Sequence, residues 1–150
     1  FLARPAEMWE GTMQIDGRCL CGHVRYEAEA EPERTTICHC TDCQMHSASA
    51  YGVVVGIDAA SFKLTAGSLK TWVKTAESGA KRGLTFCPEC GTRIYGGPHP
   101  AGTGGYFSLR TGTIRQREHF VPQNQVWTRS RQAWTSDLSS VREHEQQYLP

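Results

Sequence analysis

Short runs in which apolar and polar residues alternate recur along most of this chain, and a period of two is typical of β-strands. The first run covers residues 18–28, and a later run at residues 51–57 contains the β-branched Val53, Val54 and Val55 of a buried strand. We predict further strands at residues 35–38, 62–65, 69–75, 84–86, 93–95 and 106–110. The pattern therefore indicates a mainly β fold, with a simple meander over residues 62–75.

Two stretches interrupt the alternation. Residues 44–50 are too few for a substantial helix, so only short helical turns are expected. Residues 96–105 contain five glycines and two prolines, a composition that predicts a long, exposed loop. We expect one domain at residues 13–135, preceded by an arm or expression-derived residues at 1–12 and followed at 136–150 by a polar tail that frays.

Length and charge narrow the function classes. The chain has 150 residues, the size of one domain with one core. Its 16 Lys and Arg residues nearly balance 15 Asp and Glu residues, and no basic run stands out, which disfavours a nucleic-acid partner. No apolar stretch approaches the roughly 20 residues of a membrane span, and no signal-peptide pattern begins the chain. We therefore expect a cytoplasmic protein without a membrane partner.

The cysteines add chemistry to this picture, because all seven lie in three tight groups. The groups are Cys19 with Cys21, Cys38 with Cys40 and Cys43, and Cys87 with Cys90. An odd number of closely spaced thiols suits metal binding in a reducing compartment better than a disulfide framework. A thioredoxin-like redox role for residues 87–90 is also disfavoured, because no βαβ pattern surrounds them. The cysteines are predicted to bind metal.

The last group forms a zinc-knuckle pattern, in which two intervening residues let Cys87 and Cys90 face one ion while Gly91 relaxes the backbone. A structural zinc requires four ligands in a tetrahedron, so this pair needs two more thiols. Cys19 and Cys21 are the other simple pair, and residues two apart on a strand point to the same side. We assign these four cysteines to one closed site that stabilises the fold directly.

The middle group supplies three thiols, from Cys38, Cys40 and Cys43, without help from the rest of the chain. Three protein ligands with an open fourth position are the pattern of a catalytic zinc. His39 or His46 could instead complete the tetrahedron and make a second structural site. The spacing alone leaves both interpretations open.

The cysteine groups and an aromatic segment near the C-terminus resemble a known family. The motifs are Gly17-x-Cys19-x-Cys21-Gly22-x-Val24-x-Tyr26, Cys38-His39-Cys40-x-x-Cys43, Phe86-Cys87-x-x-Cys90-Gly91-Thr92 and Val126-Trp127-Thr128-x-Ser130-Arg131-x-x-Trp134. Over residues 17–134 the chain is similar to the glutathione-dependent formaldehyde-activating enzymes. The resemblance implies an Mss4-like, zinc-bound β fold with two Zn²⁺ per chain, one structural and one labile at the three-cysteine cluster.

The resemblance also implies an activity. Members of the family are carbon–sulfur lyases that combine glutathione with formaldehyde to give S-(hydroxymethyl)glutathione. The catalytic residues would be Cys38, Cys40 and Cys43, with His39 as a proton carrier or as a residue that orients a ligand. Candidates for the glutathione pocket are Arg93, Arg110, Arg129 and Arg131 as cations, Trp127 as a wall and residues 96–105 as a lid. Taken singly, such arginines are more often solvated surface residues, and Trp127 and Trp134 are more often core.

Two other functions compete with a lyase acting on a small thiol and a small carbonyl compound. Mss4-like folds also bind proteins, so a non-catalytic, zinc-stabilised interaction module is the main alternative. Nucleic-acid binding through a zinc-ribbon surface is the weakest, because the basic residues are scattered. A homodimer is compatible with the sequence.

Overall fold

The computed structural model describes residues 11–101 and 105–148. Its strands are β1 (Met13–Arg18), β2 (Arg25–Ala30), β3 (Thr35–Cys38), β4 (Gly52–Asp58), β5 (Lys63–Ala66), β6 (Lys70–Thr75), β7 (Lys81–Phe86), β8 (Arg93–Pro98), β9 (Tyr106–Arg110) and β10 (Asn124–Val126). One α-helix, α1 (Thr41–Ser47), and six short 3-10 turns complete the described part of the chain. The predicted mainly β fold with short helical turns is confirmed.

The strands form two sheets. The smaller has the order β1–β2–β5, and the larger has the order β10–β3–β4–β9–β8–β7–β6. Neighbouring strands are antiparallel except β10, which pairs in parallel with β3. This parallel pair sets Val126 opposite Cys38 and so brings the segment after residue 126 to the middle cysteine group.

The core lies where the two sheets meet. Alternate residues of β1 and β2 are buried, as the period of two requires, and they pack against the central strands β4, β8 and β9. The ring of Tyr26 stacks on Phe62 at 5.1 Å, and Tyr95 stacks on Phe107 at 4.0 Å. Phe62 also meets Tyr95 edge-on, so the four rings form one aromatic layer.

The predicted meander over residues 62–75 is wrong, because its two strands belong to different sheets. β5 pairs with β2, whereas β6 pairs with β7. The turn between them packs on His23: a Cβ at Gly67, which has φ +79°, would lie 2.1 Å from the His23 carbonyl oxygen. The Ser68 N–H also donates to His23 Nε2 at 3.2 Å. These contacts hold β5 beside β2 and direct the chain after residue 68 away from the smaller sheet.

The predicted loop over residues 96–105 is wrong in its first part, because residues 96–98 belong to β8. Gly97 is needed there for packing, since a Cβ would lie 2.5 Å from the ring of Phe107. The rest of the loop follows at residue 99, and positions 102–104 lie outside the described residues, as do positions 1–10 of the predicted arm. Among the described residues, no helix is long and apolar enough to cross a membrane.

Candidate metal centre

The first and third cysteine groups meet as predicted, although the reason for the first pair differs. β1 ends at Arg18, so Cys19 and Cys21 lie in a turn and not on a strand. Gly22 at φ +82° closes this turn, and the Cys19 N–H donates to the Val24 carbonyl at 3.1 Å. The opposite turn follows β7 and closes through the Gly91 N–H on the Cys87 carbonyl at 2.9 Å. Two knuckle-like turns therefore face each other.

The four sulfur atoms fit a zinc tetrahedron. The ligand atoms of Cys19, Cys21, Cys87 and Cys90 all lie within 4.8 Å of one another. Cys21 Sγ is 3.5 Å from Cys19 Sγ and 3.9 Å from Cys87 Sγ. A tetrahedron with Zn–S bonds of about 2.3 Å has S–S edges of about 3.8 Å. The donor set and its spacing are compatible with a Zn²⁺ ion, and we call this group the four-thiol cluster.

Hydrogen bonds stabilise the ionised form of two thiols in the four-thiol cluster. The hydroxyl of Thr92 lies 3.1 Å from Cys90 Sγ, and this contact lowers the pKa of Cys90 to about 5. On the other side, the Val24 N–H donates to Cys19 Sγ at 3.2 Å. Donors aimed at sulfur favour the thiolate, which is the form that binds metal.

The middle group gathers its three thiols around the start of α1. Cys38 ends β3, Cys40 is the N-cap of α1, and Cys43 lies in the first turn of the helix. Their sulfur atoms lie within 4.8 Å of one another, and we call this group the three-thiol cluster. The helix is short, as the sequence predicted, but α1 begins at Thr41, inside the cluster, and not after Cys43. Its Cys40 side chain accepts the Cys43 N–H at 3.2 Å, a contact that propensity alone does not reveal.

The thiols of this cluster differ in acidity. Burial opposes ionisation of Cys40, but the Cys43 N–H that points at its sulfur lowers the pKa of Cys40 overall. Burial, followed by the neighbouring Cys38 thiol, raises the pKa of Cys43 to about 12. Cys40 therefore ionises first, and a metal cation is needed before all three sulfurs are thiolates together.

Neither candidate histidine joins the three thiols within the described part of the chain. The ring of His39 is 1% exposed and turned away, with Nε2 donating to Gln125 Oε1 at 2.9 Å. His46 accepts a hydrogen bond from Arg110 Nη2 on its Nδ1 at 3.1 Å. Of the two arrangements that spacing left open, the described residues supply the one with three protein ligands.

Two of the four predicted arginines surround His46. Arg110 bonds to its ring, and Arg93 Nε donates to its backbone carbonyl at 3.3 Å while stacking over Phe86. Burial, and then the charges of Arg93 and Arg110, lower the pKa of His46 to about 4. The Nε and Nη1 atoms of Arg110 are buried without a hydrogen-bond partner among the described residues. Arg93 and Arg110 are thus enclosed beside α1.

Trp127 and Arg129 lie on the surface instead. Trp127 is 53% exposed and Trp134 is 59% exposed, so neither is the core residue that tryptophan most often is. The guanidinium of Arg129 stacks over the Trp127 ring at 4.9 Å from its centroid. Arg131, two residues further on, is also exposed. The structure therefore separates the four arginines into an enclosed pair and an exposed pair.

Gln44 is a structural link that sequence reasoning missed. Its Nε2 donates to the His39 carbonyl at 2.8 Å and to the Ser130 carbonyl at 2.9 Å, and its Oε1 accepts from Gln132 at 3.1 Å. One side chain thus joins the three-thiol cluster to the segment after β10. The sequence carries no signal for this beyond its place directly after Cys43.

A cleft of about 850 Å³ opens on a different part of the surface. Cys19 and Thr92 are in its lining, but none of the three thiols of the middle group is. Arg115 in this cleft is already paired with Asp16 at 2.7 Å. The cleft therefore adjoins the four-thiol cluster, where a closed ligand set leaves no position for a reacting group.

Comparison with known proteins found a matching family model and a similar solved structure. The family model described as glutathione-dependent formaldehyde-activating enzyme matches residues 14–130. A crystal structure of a Rhodobacter sphaeroides protein, from a structural genomics programme, is similar with a TM-score of 0.57 and 14% sequence identity. That match covers 73% of this chain and 98% of the other, and at this identity it concerns the fold alone. No curated protein matches the chain.

Proposed function

Because the chain belongs to the glutathione-dependent formaldehyde-activating enzyme family, we propose that it is a zinc-dependent carbon–sulfur lyase. The reaction would join a small carbonyl compound to a thiol such as glutathione, or release it again, with S-(hydroxymethyl)glutathione as the product from formaldehyde. The observation that carries the proposal is the three-thiol cluster of Cys38, Cys40 and Cys43, which has no fourth protein ligand among the described residues. An open position is what distinguishes catalytic from structural zinc.

The reaction adds a thiol across a carbonyl group. A carbon–sulfur bond forms, the carbonyl π bond opens, and the proton that leaves sulfur ends on the carbonyl oxygen. When bound at Cys38, Cys40 and Cys43, Zn²⁺ would supply a Lewis acid and lower the pKa of a thiol at its open position. The protein contributes the placement of these ligands at one helix start, where the Cys43 N–H keeps Cys40 ready to ionise.

His39 serves in this proposal as a positioning residue. Its ring is 1% exposed and bonded to Gln125, and its backbone N–H donates to the Val126 carbonyl at 3.0 Å. Both bonds tie β10 to the cysteine-bearing end of β3. A buried ring held in this way favours orientation of Cys38 and Cys40 over proton transfer to substrate.

The four-thiol cluster is proposed as the structural zinc site. It joins the turn after β1 to the turn after β7, so one ion would link the small sheet to the large one. Such a site stabilises the folded state because no preformed tetrahedron exists in the unfolded chain. Thiolate sites persist in a reducing compartment, which supports the proposed cytoplasmic location.

The test is formation of the thiol–aldehyde adduct by the variant Cys40→Ala. Its rate, followed by NMR exchange between free formaldehyde and S-(hydroxymethyl)glutathione, should fall to the uncatalysed value. Met45→Ala is the matched control, because Met45 lies on the same helix but is 84% exposed. Full activity of Cys40→Ala on every thiol–aldehyde pair tested would refute the proposal.

The alternative, a non-catalytic interaction module, is favoured by exposed apolar side chains on both cysteine turns. Leu20 is 83% exposed between Cys19 and Cys21, and Met45 is 84% exposed just after the three-thiol cluster. A module of this kind should keep both metals in the presence of thiols, catalyse nothing, and retain a stable protein partner in a pulldown. Replacing Leu20 and Met45 with alanine should then release that partner.

A further inference from the structure

Trp127 has a backbone conformation that its residue type rarely adopts. Its φ of +56° and ψ of +39° are left-handed, and a bulky non-glycine residue there costs on the order of 1 kcal/mol or more. Burial does not offset this cost, because the side chain is 53% exposed. A strained, exposed aromatic residue is a candidate for function and not for folding.

The strained turn is held firmly against the three-thiol cluster. On one side, the parallel pairing of Val126 with Cys38 and the bond from the His39 N–H to the Val126 carbonyl fix the start of the turn. On the other side, Gln44 donates to the Ser130 carbonyl at its end. The residues between these two anchors therefore sit beside the start of α1, where Cys40 and Cys43 lie.

The turn also presents a cation. Arg129 stacks over the ring of Trp127, an arrangement that leaves guanidinium N–H groups free at the edge of the stack. Within residues 11–101 and 105–148, no carboxylate pairs with Arg129. Because its side chain is exposed, this guanidinium is accessible to a ligand.

The other candidate cations are less suited to this role. Arg110 is engaged by His46, and two of its nitrogen atoms are buried. Arg93 is held by the His46 carbonyl and by the ring of Phe86. Arg131 is exposed, but among the described residues no aromatic ring lies against its guanidinium. Of the four arginines, Arg129 alone combines access with a fixed orientation.

We infer that Trp127 and Arg129 form a platform that binds a carboxylate-bearing peptide thiol beside the three-thiol cluster. The guanidinium of Arg129 pairs with a carboxylate of the peptide thiol, and the Trp127 ring packs against the apolar part of the same molecule. The inference rests on the proposed function for the identity of the thiol. It assigns substrate recognition to two named residues outside the cysteine motifs.

The experiment is a calorimetric titration of the zinc-loaded protein with S-methylglutathione, which has both carboxylates but no free thiol, and with glutathione itself. Arg129→Gln should weaken the Kd of both about tenfold or more, the loss expected for one charge-assisted hydrogen bond. Arg131→Gln is the matched control and should change the Kd less than twofold. Equal Kd values for wild type and Arg129→Gln, or no binding of either compound by wild type, would overturn the platform.

A second variant separates binding from folding. Trp127→Gly removes the ring but suits the left-handed conformation, so the unfolding midpoint should stay constant or rise while binding weakens. A Trp127→Gly protein that binds as wild type does would also overturn the platform.

Measuring adduct formation separates failure of the platform from failure of the proposed lyase activity. Binding that depends on Arg129 without adduct formation would contradict the lyase and keep the platform. Adduct formation with an unchanged KM in Arg129→Gln would contradict the platform and keep the lyase.

Discussion

Gly17 occupies a position where any side chain must collide with the core. It lies in β1 directly opposite Tyr26 in β2. A Cβ at Gly17 would be 2.3 Å from both Cζ and Oη of Tyr26 and 2.5 Å from the Thr113 carbonyl oxygen. Tyr26 cannot move aside easily, because it is 1% exposed and stacked on Phe62. We therefore expect Gly17→Ala to destabilise the protein strongly.

The size of the effect follows from two contributions. Forcing a methyl group into a filled core costs about 1–3 kcal/mol. Displacing the Tyr26 ring also breaks its hydroxyl contact with Thr113 Oγ1 at 2.7 Å, worth about 1 kcal/mol. The free energy of unfolding should thus fall by about 2–4 kcal/mol, or roughly 5–15 °C in Tm for a chain of this size. Because Cys19 is two residues away, a chelator should also remove zinc from the four-thiol cluster faster.

Urea unfolding at a fixed zinc concentration measures this loss as a lower midpoint at constant m-value. Gly112→Ala is the control, since a Cβ there meets nothing within 4 Å, and its free energy of unfolding should be unchanged or up to about 1 kcal/mol higher. Adding Tyr26→Phe to Gly17→Ala removes one of the colliding atoms and should show a favourable coupling of at least about 0.5 kcal/mol. A Gly17→Ala protein that unfolds with the wild-type midpoint would refute this packing.

Replacing Gln44 with alanine should lower the free energy of unfolding by about 1–3 kcal/mol, because its hydrogen bonds join α1 to the segment after β10. Amide hydrogen exchange at residues 128–131 should also accelerate, and unchanged exchange there would contradict the link. His46 has a pKa of about 4 when folded and about 6.5 when unfolded, so the unfolded state binds the extra proton between these values. The free energy of unfolding should therefore be at its full value above about pH 6.5 and fall as the pH drops toward 4. His46→Gln should lack this dependence on pH, and parallel plots of unfolding free energy against pH for the two proteins would contradict the prediction. Cys87→Ser should lower the Tm far more than Cys38→Ser, because of the two clusters only the four-thiol cluster links the small sheet to the large one; equal melting temperatures would show that this division of roles is wrong.

The sequence was informative about the cysteines because metal ligation constrains residue type and spacing more than it constrains the backbone. Cys19 and Cys21 meet Cys87 and Cys90 whether the first pair lies on a strand or in a turn. The strand prediction itself failed because alternation also occurs by chance in a knuckle-like turn. Only Gly22, with its positive φ, marked the break.

Long-range contacts account for what could not be predicted. The separation of β5 from β6 depends on the contact of Gly67 with His23, 44 residues earlier in the chain. Gly97 was predicted to lie in an exposed loop, yet it is a residue of β8, where the ring of Phe107 leaves no room for a side chain. Gln44 and the left-handed Trp127 likewise acquire their roles only through partners distant in sequence. The sequence shows whether such residues are polar or apolar, but it does not show which residues they contact in the fold.

The central claim is that the four-thiol cluster is closed and the three-thiol cluster is open to a thiol. Elemental analysis of zinc per chain, on protein purified without chelator, tests it most directly when repeated after incubation with millimolar glutathione. The account predicts near two zinc ions for wild type, falling toward one with glutathione, and near one for Cys40→Ala regardless of glutathione. Two zinc ions in Cys40→Ala would contradict a three-thiol zinc site, two zinc ions that millimolar glutathione does not remove would contradict a labile zinc there, and none in wild type would contradict both sites.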